Sequence, residues 1–321
     1  MTVTVGCALF NYEAGGLRPE NGYDFKPLQN AMAVSPRVPD LIQFCEGKHY
    51  ARDGGKGLLL AAKALSDQFG VPYVGLLGYN ERGPMPPVIF YNALKVLHLP
   101  PWHGHGSVNA FADQRNIGHF LVRGAQASGG GDLRIIVGVE HWEPLYSPIR
   151  EFAARRWGRY GTQCTIPALL SGDLNCTPSG DHFAQRDWAY AAENDWFGAT
   201  HKGHEVDGIW APNTAPLDYL VGSWRDGDRH GGAGFTLLAE AAWRACREQP
   251  VEARPDLLGP DGRILPTVNT GVDAGGGLHI DIALANDPML RYFDPASFQI
   301  HVPPVGVRNS DHRLLTWEMA F

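Results

Sequence analysis

Apolar and polar positions alternate along residues 2–10, and β-branched side chains recur in the run, so the spacing predicts a strand. Residues 40–45 (Asp-Leu-Ile-Gln-Phe-Cys) are apolar enough for a strand buried on both faces. Between them, Phe25 to Ala33 has helical spacing and is stopped at Ser35-Pro36. Lys56 to Phe69 is an amphipathic helix closed by Gly70. Short strands are expected at Val71–Leu77, Val88–Tyr91 and Leu94–Leu97. Asn116–Val122 and Leu133–Val139 form a further pair, joined by a Gly/Ser-rich loop over 124–132. Leu145 to Tyr160, Gly180 to Glu193 and Gly234 to Glu248 are expected as helices, and Ala168–Ser171 as a strand. Residues 249–278 are rich in Pro and Gly and are expected as a surface excursion. Ile280–Ala285, Ser297–Val302 and Leu314–Met319 close the chain as strands. Strands and helices mix without strict alternation, and no internal repeat or low-complexity tail stands out.

Composition adds bounds. The chain has 321 residues, 44% hydrophobic and 19% charged, enough apolar material for a substantial core. A formal net charge of -7 argues against gripping nucleic acid through a broad basic surface. It remains compatible with an enzyme that meets phosphates through a bound cation, because the metal brings the positive charge. Five cysteines without a CxxC pair indicate neither a zinc ribbon nor a disulfide framework, so buried free thiols are expected. There is no basic segment followed by a long apolar stretch at the start, and no apolar run of the ~18 residues a bilayer requires. The expected location is cytoplasmic, with no transmembrane segment. The oligomeric state is not readable.

Acidic, amide and imidazole groups recur at the ends of the expected strands. Asn11 ends the run from Val3 to Phe10, and Glu46 ends Leu41 to Cys45. His141 ends the run from Leu133 to Val139, and Gly172-Asp173-Leu174-Asn175 follows Ile166 to Leu170. Asn309-Ser310-Asp311-His312 precedes the last strand. Strand ends are where α/β architectures gather a site. Each residue alone is an ordinary turn or strand-end residue, and the ordered set carries the weight. By contrast, His103-Gly104-His105 and the His201/His204 pair lack a cysteine or carboxylate at ligand spacing and read as loop residues. The arginines of 150–159 spread around more than one helix face and read as solvated.

The ordered set Asn11, Glu46, His141, Asp173, Asn175, Asp281, Asp311, His312 resembles the endonuclease/exonuclease/phosphatase superfamily, across residues 3 to 319. Gly172-Asp173-Leu174-Asn175 is similar to its Gly-Asp-Phe-Asn, and Ser310-Asp311-His312 matches its motif outright. Ile280-Asp281-Ile282 resembles its Ile-Asp-Tyr strand, and Asp281 precedes Asp311 by a family-like 30 residues. Leu217-Asp218-Tyr219 resembles the same motif, so Asp218 is a second candidate, and spacing favours Asp281. Cys45-Glu46 departs from the usual Gln-Glu, and Asn11-Tyr12-Glu13 from the usual first motif.

The resemblance implies a DNase I-like α/β fold: two packed, mainly antiparallel or mixed sheets flanked by helices. It implies one domain over 1–321, with loop insertions near 79–110 and 197–278. It implies a phosphoesterase dependent on Mg²⁺ or Mn²⁺, hydrolysing a phosphodiester or phosphomonoester by water attack and most nuclease-like. The alternatives are a phosphatase of small molecules, nucleotides or lipid headgroups, and a non-catalytic binding protein on the same scaffold. Glu46 and Asp311 are the expected metal ligands, with Asn11 and Glu13 beside them. Hard cations of this kind take oxygen donors. Asp173 is expected to orient or deprotonate water, and Asp281 to hold His312. Asn175 and His141 are expected to contact the phosphate. Which histidine is acid and which is base is left open.

Overall fold

The computed structural model describes residues 2–20, 22–80, 85–106, 114–127, 130–269 and 271–321. Twelve strands build two sheets. The first contains β1 (Thr4–Asn11), β2 (Leu41–Cys45), β3 (Tyr73–Leu77) and β4 (Val88–Asn92). The second contains β5 (Val96–Leu99), β6 (Ile117–Gln126), β7 (Asp132–His141), β8 (Ala168–Asp173), β9 (Phe235–Leu237) and β10 (Asp281–Asn286). β11 (Phe293–His301) and β12 (Leu314–Ala320) return to the first sheet. The orders are β11-β12-β1-β2-β4-β3 and β9-β10-β8-β7-β6-β5.

Each sheet has one parallel pair at its centre, β1 with β2 and β7 with β8, and antiparallel neighbours outside it. Parallel strands end on the same edge, and an antiparallel neighbour starts there. The C-terminal ends of β1, β2, β7 and β8 therefore share a rim with the start of β10 and the lead-in to β12. Register puts Asp173 level with both His141 and Asp281.

The alternation in β1 explains the layering. Val5, Cys7 and Leu9 face the core shared with the second sheet, while Ala8 and Phe10 face outward. The outward set joins Phe44, Tyr50 and Phe90 under α1 (Lys26–Met32) and α2 (Arg52–Phe69). Aromatic rings there meet at 5.7–6.0 Å, a spacing that adds specific ring contacts to area burial. On the far side, α3 (Ser147–Gly158), α6 (Ala215–Val221) and α7 (Leu238–Cys246) cover the second sheet through Trp157, Leu217, Leu220 and Ala242. Two mixed sheets flanked by helices is the expected fold class. The short helices α4 (Trp188–Asn194), α5 (Trp196–Lys202) and α8 (Asp287–Leu290) complete the helical set used below.

Several local expectations change. Within 180–193 only α4 is helical. Phe183 instead bridges Ile264, and the Asp187 side chain caps α4 by accepting from Tyr190 N–H. The helix expected from Gly234 starts at Leu238, because Phe235–Leu237 pairs with β10. Residues 215–221 form a helix, so Asp218 lies on α6 and not on a strand. Pro216 at its start is a helix-opening signal. The stretches expected as loop insertions both carry regular elements. Residues 79–110, whose 81–84 and 107–110 lie outside the described residues, carry β4 and β5, one strand for each sheet. Residues 197–278 carry α5, α6, β9 and α7. Their end is no mere surface excursion: Thr267 is fully buried, and Val268 bridges His312.

Candidate active site

The shared rim brings β1, β8, β10 and the turn before β12 onto one point, the Asp173 carboxylate. Its Oδ2 accepts from Asn11 Nδ2 at 3.0 Å and lies 3.6 Å from His141 Nε2 and 3.8 Å from His312 Nε2. Its Oδ1 accepts the Asn175 backbone N–H at 2.9 Å. Asn11 Nδ2 also sits 3.5 Å from His312 Nε2. His312 Nδ1 is 2.7 Å from Asp281 Oδ2. Asn11, Asp173, Asp281 and His312 thus meet in one hub with His141 beside it, although up to 301 residues separate its members.

Local backbone explains why Gly precedes Asp173. A Cβ on Gly172 would stand 1.8 Å from the Glu140 carbonyl, so β7 and β8 approach closely only because that atom is missing. Asn175 holds φ +48°, a left-handed conformation that Asn tolerates. Its Nδ2 donates to Trp142 O at 3.0 Å, which leaves its second N–H and Oδ1 for other partners. Cys45, standing where the resembled family has Gln, accepts the Asp173 N–H at 3.3 Å and lies 3.4 Å from the Glu140 carbonyl. Its small thiol fits between the sheets, and burial pushes its pKa well up, so it stays neutral.

Electrostatics separate the two halves of the hub. Burial opposes a charge on His312, but Asp281 first, then Asp173 and Asp311, outweigh it and carry its pKa up to about 10. Burial raises the Asp281 carboxyl, and His312 draws it back. The proton of this pair is best placed on the imidazole, because two further carboxylates favour the imidazolium. Thr267 Oγ1 accepts the backbone N–H groups of Ile280 and Asp281, each at 3.0 Å, fixing where β10 begins.

The remaining acids sit on the first-sheet side. Glu46 is partly buried, follows β2 with φ +66°, and its Oε2 accepts the Ala14 N–H at 2.7 Å. A left-handed Glu is a strained residue, of the kind that concentrates at functional sites. Ser310 Oγ lies 2.7 Å from Asn11 O and 3.0 Å from Asp311 Oδ1, and it accepts the Glu13 N–H at 3.2 Å. It ties the Asp311 turn to the end of β1. Glu13 does not join the hub: its carboxylate pairs with Arg308 at 3.2 Å in exposed surroundings. Asp218 is also elsewhere, accepting from Ser179 at 2.6 Å and Thr214 at 2.8 Å.

Among the described residues, Asp173, Asp281 and His312 place ligand atoms within 4.8 Å of one another. That triad is better read as hydrogen-bonded than as a metal cage, because Asp281 already occupies His312 Nδ1. Glu46, Asp311 and Asn11 carry hard oxygen donors on the first-sheet side of the rim. Asn11 Oδ1 is buried and has no hydrogen-bond partner among the described residues, which leaves an acceptor open there. His103, His105, His201 and His204 belong to no such group among the described residues.

Sequence reasoning missed Thr267, which lies in a segment with no motif. It also missed the link made by Cys45, which no local spacing signals. A cleft of about 500 Å³ opens at His141, edged by Trp142, Leu145, Tyr79 and Arg115. Arg115 lies over the Tyr79 ring at 4.3 Å.

No protein-family model matches the sequence, and neither does any curated protein. Solved structures do match. An AP endonuclease from Archaeoglobus fulgidus superposes with a TM-score of 0.50 at 13% identity, over 98% of each chain. A 3' phosphatase from Neisseria bound to product DNA hairpin gives 0.50 at 16%, over 99% of this chain and 100% of that one. An endonuclease/exonuclease/phosphatase protein from Bacteroides vulgatus gives 0.50 at 12%, over 99% and 98%. Identities this low speak to architecture only. Among the described residues no helix is long and apolar enough to cross a membrane. Sheet order, rim and these superpositions agree: the chain has the DNase I-like fold of the endonuclease/exonuclease/phosphatase superfamily.

Proposed function

We propose that the protein is a phosphoesterase that uses Mg²⁺ or Mn²⁺ to hydrolyse a phosphoester by water attack. The observation that carries this reading is the hub itself. One carboxylate, Asp173, is held by the Asn11 amide and the Asn175 backbone N–H, with two imidazoles within 4 Å. Asp173 orients a water and takes its proton. His312, held by Asp281, presents a charged Nε2 edge to the phosphoryl oxygens. His141, 3.6 Å from the same Asp173 oxygen and lining the cleft, meets the leaving oxygen. Glu46 and Asp311, with Asn11 Oδ1, would hold the cation. When bound, it would neutralise phosphate charge that these carboxylates would otherwise repel.

The superposed AP endonuclease and 3' phosphatase favour a nuclease-like substrate. The net charge of -7 and a cleft of only about 500 Å³ favour a second reading, a small nucleotide or other compact phosphate ester. A hydrolysis screen of DNA, RNA, nucleotides and phospholipid headgroup esters with Mg²⁺ or Mn²⁺, beside the Asp173→Asn variant, tests both. The wild type should cleave at least one class and lose activity in EDTA. Asp173→Asn should lose at least ~10³-fold in kcat with an unchanged circular-dichroism spectrum. Full activity in EDTA, or in the variant, would overturn the assignment.

A further inference from the structure

The cleft at His141 has a lining unlike the hub beside it. Leu145 follows β7, and Ile149, Ala153 and Arg156 recur at four- and three-residue steps, so one stripe of α3 borders the space. Tyr79 and Arg115 come from the loops after β3 and before β6. Tyr79 is pinned there. Its N–H donates to Asn116 Oδ1 at 2.5 Å, and its carbonyl accepts from Asn116 Nδ2 at 2.8 Å. Asn116 is buried, and its own carbonyl accepts the Val139 N–H at 3.0 Å, two residues before His141. With Arg115 over the Tyr79 ring at 4.3 Å, a guanidinium–aromatic stack lines the same cleft as His141 before any ligand arrives.

Charge narrows the ligand. Apart from His141, the ionisable side chains of Glu140 and Glu143 are matched by those of Arg115 and Arg156, so formal charge in the cleft cancels. A second phosphate would find no excess of positive charge there, whereas a neutral ring needs none. Glu140 and Arg156 pair at 3.2 Å, with side chains 9% and 13% exposed. A pair so nearly buried adds little stability, yet it lends a bound edge both acceptors and donors. Aliphatic surface from α3, a planar stack and a mixed polar edge together match a heterocyclic base. A volume of about 500 Å³ encloses one such group with its sugar.

We propose that this cleft binds the leaving group of the reaction as a single nucleoside. The base lies against the Arg115–Tyr79 stack and the α3 stripe, with its edge read by Glu140 and Arg156. His141 lines the cleft and stands 3.6 Å from Asp173, so it marks where the nucleoside joins the phosphate. This rests on the phosphoesterase reading and, within it, chooses a nucleotide over a lipid headgroup ester.

Calorimetric titration of guanosine, adenosine, cytidine, uridine, ribose and phenol into the Mn²⁺-loaded protein is the test. Ile149→Trp, which fills the cleft from α3, and Arg115→Ala, which removes the stack, are measured beside the wild type. At least one nucleoside should bind about tenfold or more tightly than both ribose and phenol. Each variant, with an unchanged circular-dichroism spectrum, should weaken that nucleoside about tenfold or more and leave Mn²⁺ affinity alone. On a cleaved nucleotide, kcat/KM should fall with nucleoside affinity. If no nucleoside outbinds ribose and phenol, or if either folded variant binds it like the wild type, the inference is overturned, even where the wild type hydrolyses esters. If nucleosides bind in the cleft but no ester is cleaved, the base site stands and the phosphoesterase reading falls.

Discussion

The two sheets bring similar topology and different chemistry to one rim. Each ends a central parallel pair there. From the second sheet come Asp173 and Asp281, both buried, with His141 beside them. From the first come Glu46 and the Asp311 turn, both partly exposed, whose carboxylates meet a backbone N–H or a hydroxyl. Burial with mutual hydrogen bonds fixes positions in advance. Partial exposure with few partners leaves oxygens open to a newcomer. The second sheet thus supplies carboxylates already committed to the hub, and the first supplies, besides His312, carboxylates with fewer partners.

Breaking the buried half should cost most. Asp281→Asn removes the charge that holds the His312 proton, and kcat should fall about 10²-fold or more while KM changes little. A loss seen only in KM would mean that Asp281 shapes binding and not the chemistry. Breaking the open half should be softer and repairable. Glu46→Gln should weaken Mn²⁺ binding ~10–100-fold by calorimetry, with much of the activity restored at high Mn²⁺. Unrestored loss would place Glu46 in proton handling and erase the contrast. Glu13→Gln should change little, because Arg308 already holds that carboxylate at the surface.

The smallest effect on catalysis, with a clear effect on folding, is expected away from the rim. Burial opposes ionisation of Glu240, yet hydrogen bonds from His182 and Arg229 outweigh it and carry its pKa from 4.5 to about 2. A carboxylate lowered in the folded state stabilises the protein above its unfolded pKa. That contribution, about 3 kcal/mol, should fade as pH falls from about 4.5 to 2. Denaturant titrations should therefore show wild type and Glu240→Gln far apart at pH 7 and converging near pH 2. A constant gap would count against this account.

The hub was legible in the chain. Asn11, His141, Asp173, Asp281 and His312 all stand where an apolar run stops or starts, as does Glu46 outside the hub, and strand ends are where a rim forms. The illegible parts were set by tertiary pairing. Nothing local tells Phe183 to bridge Ile264, or Phe235–Leu237 to add an edge to β10. Thr267 acts through a hydroxyl on two backbone N–H groups of β10, a contact with no sequence period. The helix at 215–221 is a different case: Pro216 announced it, and the apolar run around Asp218 masked it.

Glu46 has one more implication. Its backbone takes a shape that glycine adopts freely, at a standing cost of about 1–3 kcal/mol for a side chain that points a carboxylate at the rim. Selection for heat resistance alone would favour Gly or Asn at this position. A lineage that abandoned catalysis should lose its acid here early, while the fold grew sturdier.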